Sequence, residues 1–346
     1  MTTPLEVRPL DGAGAEILGV DITRMTIGEW DQVQAAFAAF GVIFFRDQIV
    51  TEPEHIEFAS RWGQLNVNRF FAAHELFPEI ALVVKNPDDA KNIGSTWHAD
   101  HSYDLEPALG SVLVARELPT SGGDTLFCSM YAAYDALSST TQRELEGLTA
   151  LHSAQHVFGT ASNSRREYRM RNASVADGLE PVAHPVVIRH PISGRKALFV
   201  NPTFTVGIDG VGDLEALALL NQLYEHCERD EFIGRFCWEP GSVALWDNRA
   251  VWHFALNDYP EQRRIMHRIT IDGCELAPAS AGPRSEPSLV QRAGATLAGG
   301  VITAAMTGIA EVIEPEKVRH KIEIVSDAPE KEPLTPLDFG GLPPLD

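Results

Sequence analysis

Arg264-Ile-Met-His-Arg-Ile-Thr-Ile271 is a short run rich in β-branched residues and reads as a strand. Successive strand side chains alternate between faces, so positions 264, 266, 268 and 270 share one side and Arg264 and Arg268 point the same way. Runs of the same texture recur upstream, separated by Gly, Pro and Asp: Ser111–Ala115, Thr125–Cys128, Val186–Ile188, Leu198–Val200 and Val243–Trp246. Val42-Ile-Phe-Phe45 reads as a further buried strand. This spacing predicts a mainly β fold, an antiparallel sandwich or barrel, and not alternating βαβ units.

Helices flank the strands. Thr26-x-x-Glu29 and Thr51-x-x-Glu54 are capping boxes, each satisfying two orphan amides at a helix start. The first opens a helix with Trp30, Val33, Phe37 and Phe40 on one face, closed by Gly41. The second carries Phe58 and Trp62 inward and is closed by Gly63. A third helix is expected over Asp213–Arg229 with Asp213 as N-cap. Ala277–Pro287 is rich in Pro, Ser and Ala and reads as a linker, so the division is a domain over 1–275 and a linker with a C-terminal extension over 276–346.

The 28 basic and 48 acidic residues give a net charge of −20, which leaves no basic footprint for nucleic acid or an anionic membrane. Ala293–Ala310 is uncharged for 18 residues, but it is mostly Ala, Gly and Thr and falls short of a membrane span. Cys128, Cys227, Cys237 and Cys274 form no CxxC pair and read as free thiols in a reducing compartment. The opening residues lack the apolar core of a secretory signal, so a cytoplasmic location is expected.

Three of the 12 histidines sit in His-x-acid triplets: His55/Glu57, His98/Asp100 and His226/Glu228. On a helix, residues i and i+2 point about 200° apart and cannot converge on one ion, so His55 and His226 are expected at the surface or core edge. On an extended segment they face the same side, and His98-Ala-Asp100 lies where an extended chain is plausible. A facial two-histidine, one-carboxylate triad needs a distant second histidine. His253 is the candidate, because Asp247-Asn248-Arg249 is turn chemistry that would start it on the next strand. Arg264 and Arg268, on one face of a β-rich core, need anionic partners: protein carboxylates, or a dicarboxylate cosubstrate and an anionic substrate.

In order and spacing, the chain over about residues 5–273 resembles the taurine/2,4-dichlorophenoxyacetate (TauD/TfdA) dioxygenases, which depend on iron(II) and 2-oxoglutarate. The resemblance runs through Leu10–Thr23, Gly41–Gln48, Thr96-Trp-His-Ala-Asp100, Gly122-Gly-Asp-Thr-Leu126, Trp246–Arg249, His253, Asp258-Tyr259 and Arg264–Arg268. It implies a double-stranded β-helix (jelly roll), with His98, Asp100 and His253 as the iron ligands and O2 as the oxidant. It also implies that Arg264, helped by Thr125, clamps the distal carboxylate of 2-oxoglutarate. Arg268 matches a position used for the anionic group of the substrate, and Phe204 an aromatic lining its pocket. The chain departs from the taurine enzymes at Asn68–Phe71 and Asn92–Thr96, so the resemblance does not extend to taurine itself.

The expected activity is oxidation of an unactivated C–H bond of a small organic anion, with release of succinate and CO2, by an enzyme assembled as a dimer or tetramer. The same chemistry on a neutral molecule is the alternative. A zinc hydrolase would suit His/Asp/His but leaves both arginines and Thr125 idle. A non-catalytic jelly-roll binding protein would be expected to lack a ligand.

Overall fold

The computed structural model describes residues 4–159 and 180–280. Its frame is an eight-stranded sheet in which Glu6–Pro9, Ala15–Leu18, Val42–Phe45, Val243–Asp247, Gly110–Glu117 and Arg264–Ile271 lie side by side in that order. Leu65–Asn66 and Ala81–Lys85 both pair along the outer edge of Arg264–Ile271. All these pairings are antiparallel except Ala15–Leu18 with Val42–Phe45. A smaller antiparallel sheet places Thr125–Ser129 between Ile233–Phe236 and Val251–Ala255.

Strand alternation distributes the side chains. Val42 and Phe44 point into a core shared with Phe127, Val251 and Trp252 of the smaller sheet. Ile43 and Phe45 point the other way, to a second core closed by Trp30, Val33, Phe37, Phe58 and Trp62. The large sheet is therefore covered on both faces, by a sheet on one side and by two helices on the other. Met266 lies in the first core and Ile269 and Ile271 in the second, so Arg264 and Arg268 face the inside of the sandwich. Both are buried.

The two capping boxes form as expected, and Gly41 ends the first helix, Ile27–Phe40, with a φ of 73° that a Cβ would strain. The second helix stops at Ser60, and Trp62 packs from the turn beyond it, ahead of Gly63. The third runs Asp213–Cys227 with Gly212, not Asp213, at the cap, so the aspartate sits in the first turn where it complements the positive end of the helix. His55 and His226 are fully buried, not peripheral. Each ring sits on a backbone carbonyl, of Val112 at 3.2 Å and of Ala133 at 2.8 Å.

The expected linker begins too early. Ala277–Pro278 pairs with Val187–Arg189, the Ala279 amide donates to the Val187 carbonyl, and Leu276, Ala277 and Ala279 are buried. The remainder of the linker, the uncharged stretch 293–310 and the tail lie outside the described residues. We expect truncation after Ser280 to leave melting temperature and metal affinity unchanged. Truncation after Cys274 should cost about 2 kcal/mol of buried apolar surface and lower the midpoint by roughly 4–8 °C in a thermal melt. Equal midpoints for the two truncations would show that the last strand contributes nothing.

Candidate active site

The site begins with a backbone bridge. The His98 amide donates to the His253 carbonyl at 3.2 Å and the His253 amide donates to the His98 carbonyl at 2.9 Å, which brings two distant segments into register. Their rings lie with centroids 4.0 Å apart. His253 is aimed by the turn before it. Asp247 accepts from the backbone, Nε and Nη2 of Arg249 and from Nε2 of His190, all at 2.8–2.9 Å and all buried. Opposite charges and complete hydrogen bonding make this buried cluster tolerable and fix the turn between the strands Val243–Asp247 and Val251–Ala255.

His98 Nδ1 lies 2.7 Å from the Thr96 carbonyl, so Nδ1 carries the proton and Nε2 presents its lone pair. Burial, together with His253, pushes His98 down to about 4, which keeps the imidazole neutral and able to ligate at neutral pH. His98 Nε2 lies 3.8 Å and His253 Nε2 3.4 Å from Asp100 carboxylate oxygens. Burial alone would raise the Asp100 carboxyl. Arg268 and His253 outweigh it and hold the group well below the usual carboxylate range. These three residues, with donor atoms all within 4.8 Å of one another, form the one metal-ready group among the described residues. Two imidazole nitrogens and one carboxylate on one side of an ion suit iron(II) with positions left open.

Two cavities meet at this triad. One is lined by Thr125, Phe127, His98, His253, Arg264 and Arg268. Arg264 is buried beside the Tyr259 hydroxyl, and among the described residues its Nε and Nη2 make no hydrogen bond of normal geometry, an arrangement that suits a two-oxygen acceptor. Thr125 accepts a 2.9 Å bond from the Trp238 indole, which leaves its hydroxyl proton free to donate. Gly122 and Gly123, both near φ 76°, make the turn ahead of Thr125, and the Gly123 amide donates to Asp258 at 2.7 Å. A Cβ on Gly122 would lie 2.6 Å from that carboxylate.

The other cavity, about 370 Å³, is lined by Phe71, Ile93, Val157, Phe158 and Phe204 around His98, Asp100 and Arg268. Among the described residues, Arg268 is the only cationic residue besides histidine on this wall. It donates from Nη1 to Asp100 at 2.9 Å, while its Nε and Nη2 have no hydrogen-bond partner among the described residues. Arg268 thus does pair with a protein carboxylate, and Arg264 forms no ion pair among the described residues.

The model of the taurine catabolism dioxygenase TauD, TfdA family matches residues 6–270. The chain belongs to the TauD/TfdA family. It is 32% identical to the (S)-phenoxypropionate/α-ketoglutarate dioxygenase of Sphingobium herbicidovorans over 79% of this chain and 96% of that one. It is also 32% identical to the α-ketoglutarate-dependent sulfate ester dioxygenase of Pseudomonas putida, over 78% and 90%. The α-ketoglutarate-dependent sulfonate dioxygenase of Saccharomyces cerevisiae is 32% identical over 74% of this chain, which spans 64% of that relative. The crystal structure of a taurine dioxygenase from Burkholderia xenovorans superposes with a TM-score of 0.68 at 31% identity, covering 83% of this chain and 98% of that one. The family's jelly roll is the fold described above, and its members use iron(II), 2-oxoglutarate and O2 on small molecules. Among the described residues no helix is long and apolar enough to cross a membrane.

Within this TauD/TfdA frame, His98, Asp100, His253, Thr125, Arg264, Arg268 and Phe204 come together around the two adjoining cavities. Trp238, Phe71 and Phe158 join them without having been singled out in the sequence. Trp238 lies in an ordinary strand-to-turn stretch that no spacing signal marks, whereas Phe71 belongs to the Asn68–Phe71 segment where the chain departs from the taurine enzymes.

Proposed function

We propose that His98, Asp100 and His253 hold iron(II), that Thr125 and Arg264 hold 2-oxoglutarate, and that the substrate is a small anion with an apolar body. Bound together, iron(II), 2-oxoglutarate and O2 supply an oxidative decarboxylation coupled to oxidation of a substrate C–H, yielding succinate and CO2. This chain's residues bind, orient and exclude water. The Arg264 guanidinium and the Thr125 hydroxyl offer donors to one carboxylate end of the cosubstrate. The phenylalanine wall keeps the second cavity dry and gives its occupant a fixed pose.

The observation that carries the substrate assignment is Arg268. It is a buried guanidinium with two nitrogens that have no hydrogen-bond partner among the described residues, in a cavity whose apolar surface comes from Phe71, Ile93, Val157, Phe158 and Phe204. Such a fork recognises carboxylate, sulfonate or sulfate ester oxygens. The relatives named for phenoxypropionate, sulfate esters and sulfonates are anion oxidisers, which supports the same reading. The Arg268–Asp100 ion pair favours a second reading, a neutral substrate with Arg268 serving only the carboxylate. Arg268→Met separates the two. For an anionic substrate, affinity should fall about 30-fold or more while uncoupled 2-oxoglutarate decarboxylation persists. Retained substrate affinity, or a shift of the iron–2-oxoglutarate absorption band by neutral compounds only, would overturn the anionic assignment. A zinc hydrolase has no use for the unpaired donors of Arg264.

We place the catalytic unit at residues up to about Ser280, with the rest of the chain as an extension of separate role. Assembly as a dimer or tetramer is our reading for the folded enzyme, to be checked by light scattering. The buried free thiols Cys128 and Cys227 support a cytoplasmic setting.

A further inference from the structure

Trp238 touches both donors of the cosubstrate cavity without lining it. Its indole N–H donates to Thr125 Oγ1 at 2.9 Å, and the Arg264 guanidinium carbon lies 5.7 Å from its ring centroid. The ring is buried and braced edge-on against Phe236 at 5.0 Å. Phe236 is the direct register partner of Thr125, so the strand pairing that sets Thr125 also sets the tryptophan two residues on.

The donor inventory gives this contact a consequence. An indole nitrogen can only donate, whereas a hydroxyl can do either. With Trp238 pressing a proton on Oγ1, Thr125 must turn its own proton away, and the cavity it faces holds Arg264, whose unpaired Nε and Nη2 are donors too. The indole takes one of the two lone pairs on Oγ1 and fixes the hydroxyl's orientation; without it both lone pairs are open to the Arg264 donors and the hydroxyl proton is free to turn elsewhere. We propose that Trp238 is a positioning residue for the cosubstrate. Its N–H holds the Thr125 hydroxyl as a donor, so that Thr125 and Arg264 address the same carboxylate. The inference rests on the assignment of Thr125 and Arg264 to 2-oxoglutarate.

The test is calorimetric titration of 2-oxoglutarate into Mn(II)-loaded protein under anaerobic conditions, so that no turnover occurs. Trp238→Phe keeps a ring and removes the N–H. It should weaken 2-oxoglutarate binding about three- to ten-fold, the scale of one hydrogen bond. Mn(II) affinity should stay at the parent value, and the metal-free protein should stay folded with a midpoint only a few degrees lower for the lost ring volume. In a Thr125→Val background, Trp238→Phe should cause no further loss, because its partner is gone. Parent-like 2-oxoglutarate affinity in Trp238→Phe, or an equal loss in both backgrounds, would overturn the proposal. Arg264→Ala is titrated in parallel. Parent-like affinity there would overturn the cosubstrate assignment itself, whereas a large loss there with none in Trp238→Phe refutes only the role of the tryptophan.

Discussion

Alanine in place of His98, Asp100 or His253 is expected to lower iron(II) affinity by more than about a hundred-fold, because changes to groups merely behind metal ligands already cost 10–100-fold. The three variants should differ in stability. Each histidine sits in a backbone bridge that its side chain does not make, so His98→Ala and His253→Ala should keep the fold. Asp100→Ala also strips Arg268 of its charged partner inside the protein. Removing one member of a buried pair costs about 3–5 kcal/mol, so this variant should melt well below the other two in the metal-free state. Anaerobic metal titration and thermal melts give both readouts. Near-parent metal binding in all three variants would refute the triad.

Arg264→Ala is expected to have the next largest effect, on the cosubstrate alone. Truncating one side of a buried, hydrogen-bonded charge pair costs on the order of 2–5 kcal/mol, or roughly thirty- to several-thousand-fold in the 2-oxoglutarate dissociation constant. Arg264→Lys should recover little, since a point charge cannot reproduce a planar fork. Metal affinity should stay near the parent value. An unchanged 2-oxoglutarate requirement would refute the clamp.

The strand framework was legible because alternation and turn residues are local properties. Arg264–Ile271 reads as a strand from its own composition, and the turn at Asp247–Arg249 can be seen before His253 is placed. Helix starts were legible for the same reason, each capping box lying within four residues of its partner. The failures were tertiary. His55 and His226 were expected at the periphery, but neutral imidazoles find carbonyls of Val112 and Ala133 inside the core. Ala277–Ala279 has a linker's composition and still completes a small sheet, because pairing there depends on the distant strand Val187–Arg189. The pairing of Arg268 with Asp100 spans 168 positions, and local pattern cannot reveal such a contact.

The buried arginines and their lone carboxylate have a consequence for ionic strength. With iron(II) bound as proposed, Arg264, Arg268, Asp100 and the divalent ion would give the described residues of the pocket an excess of three positive charges. A dicarboxylate removes two, and a singly charged substrate removes the last. The loaded site would then be electroneutral, the state in which the surrounding apolar wall charges the smallest desolvation toll. The protein as a whole carries −20, so its long-range field opposes the arrival of both anions. Added salt should shorten that repulsion to about the 8 Å Debye length of physiological solution. Association rates for 2-oxoglutarate should therefore rise with ionic strength, opposite in sign to the usual weakening of attraction between a cation site and its anion.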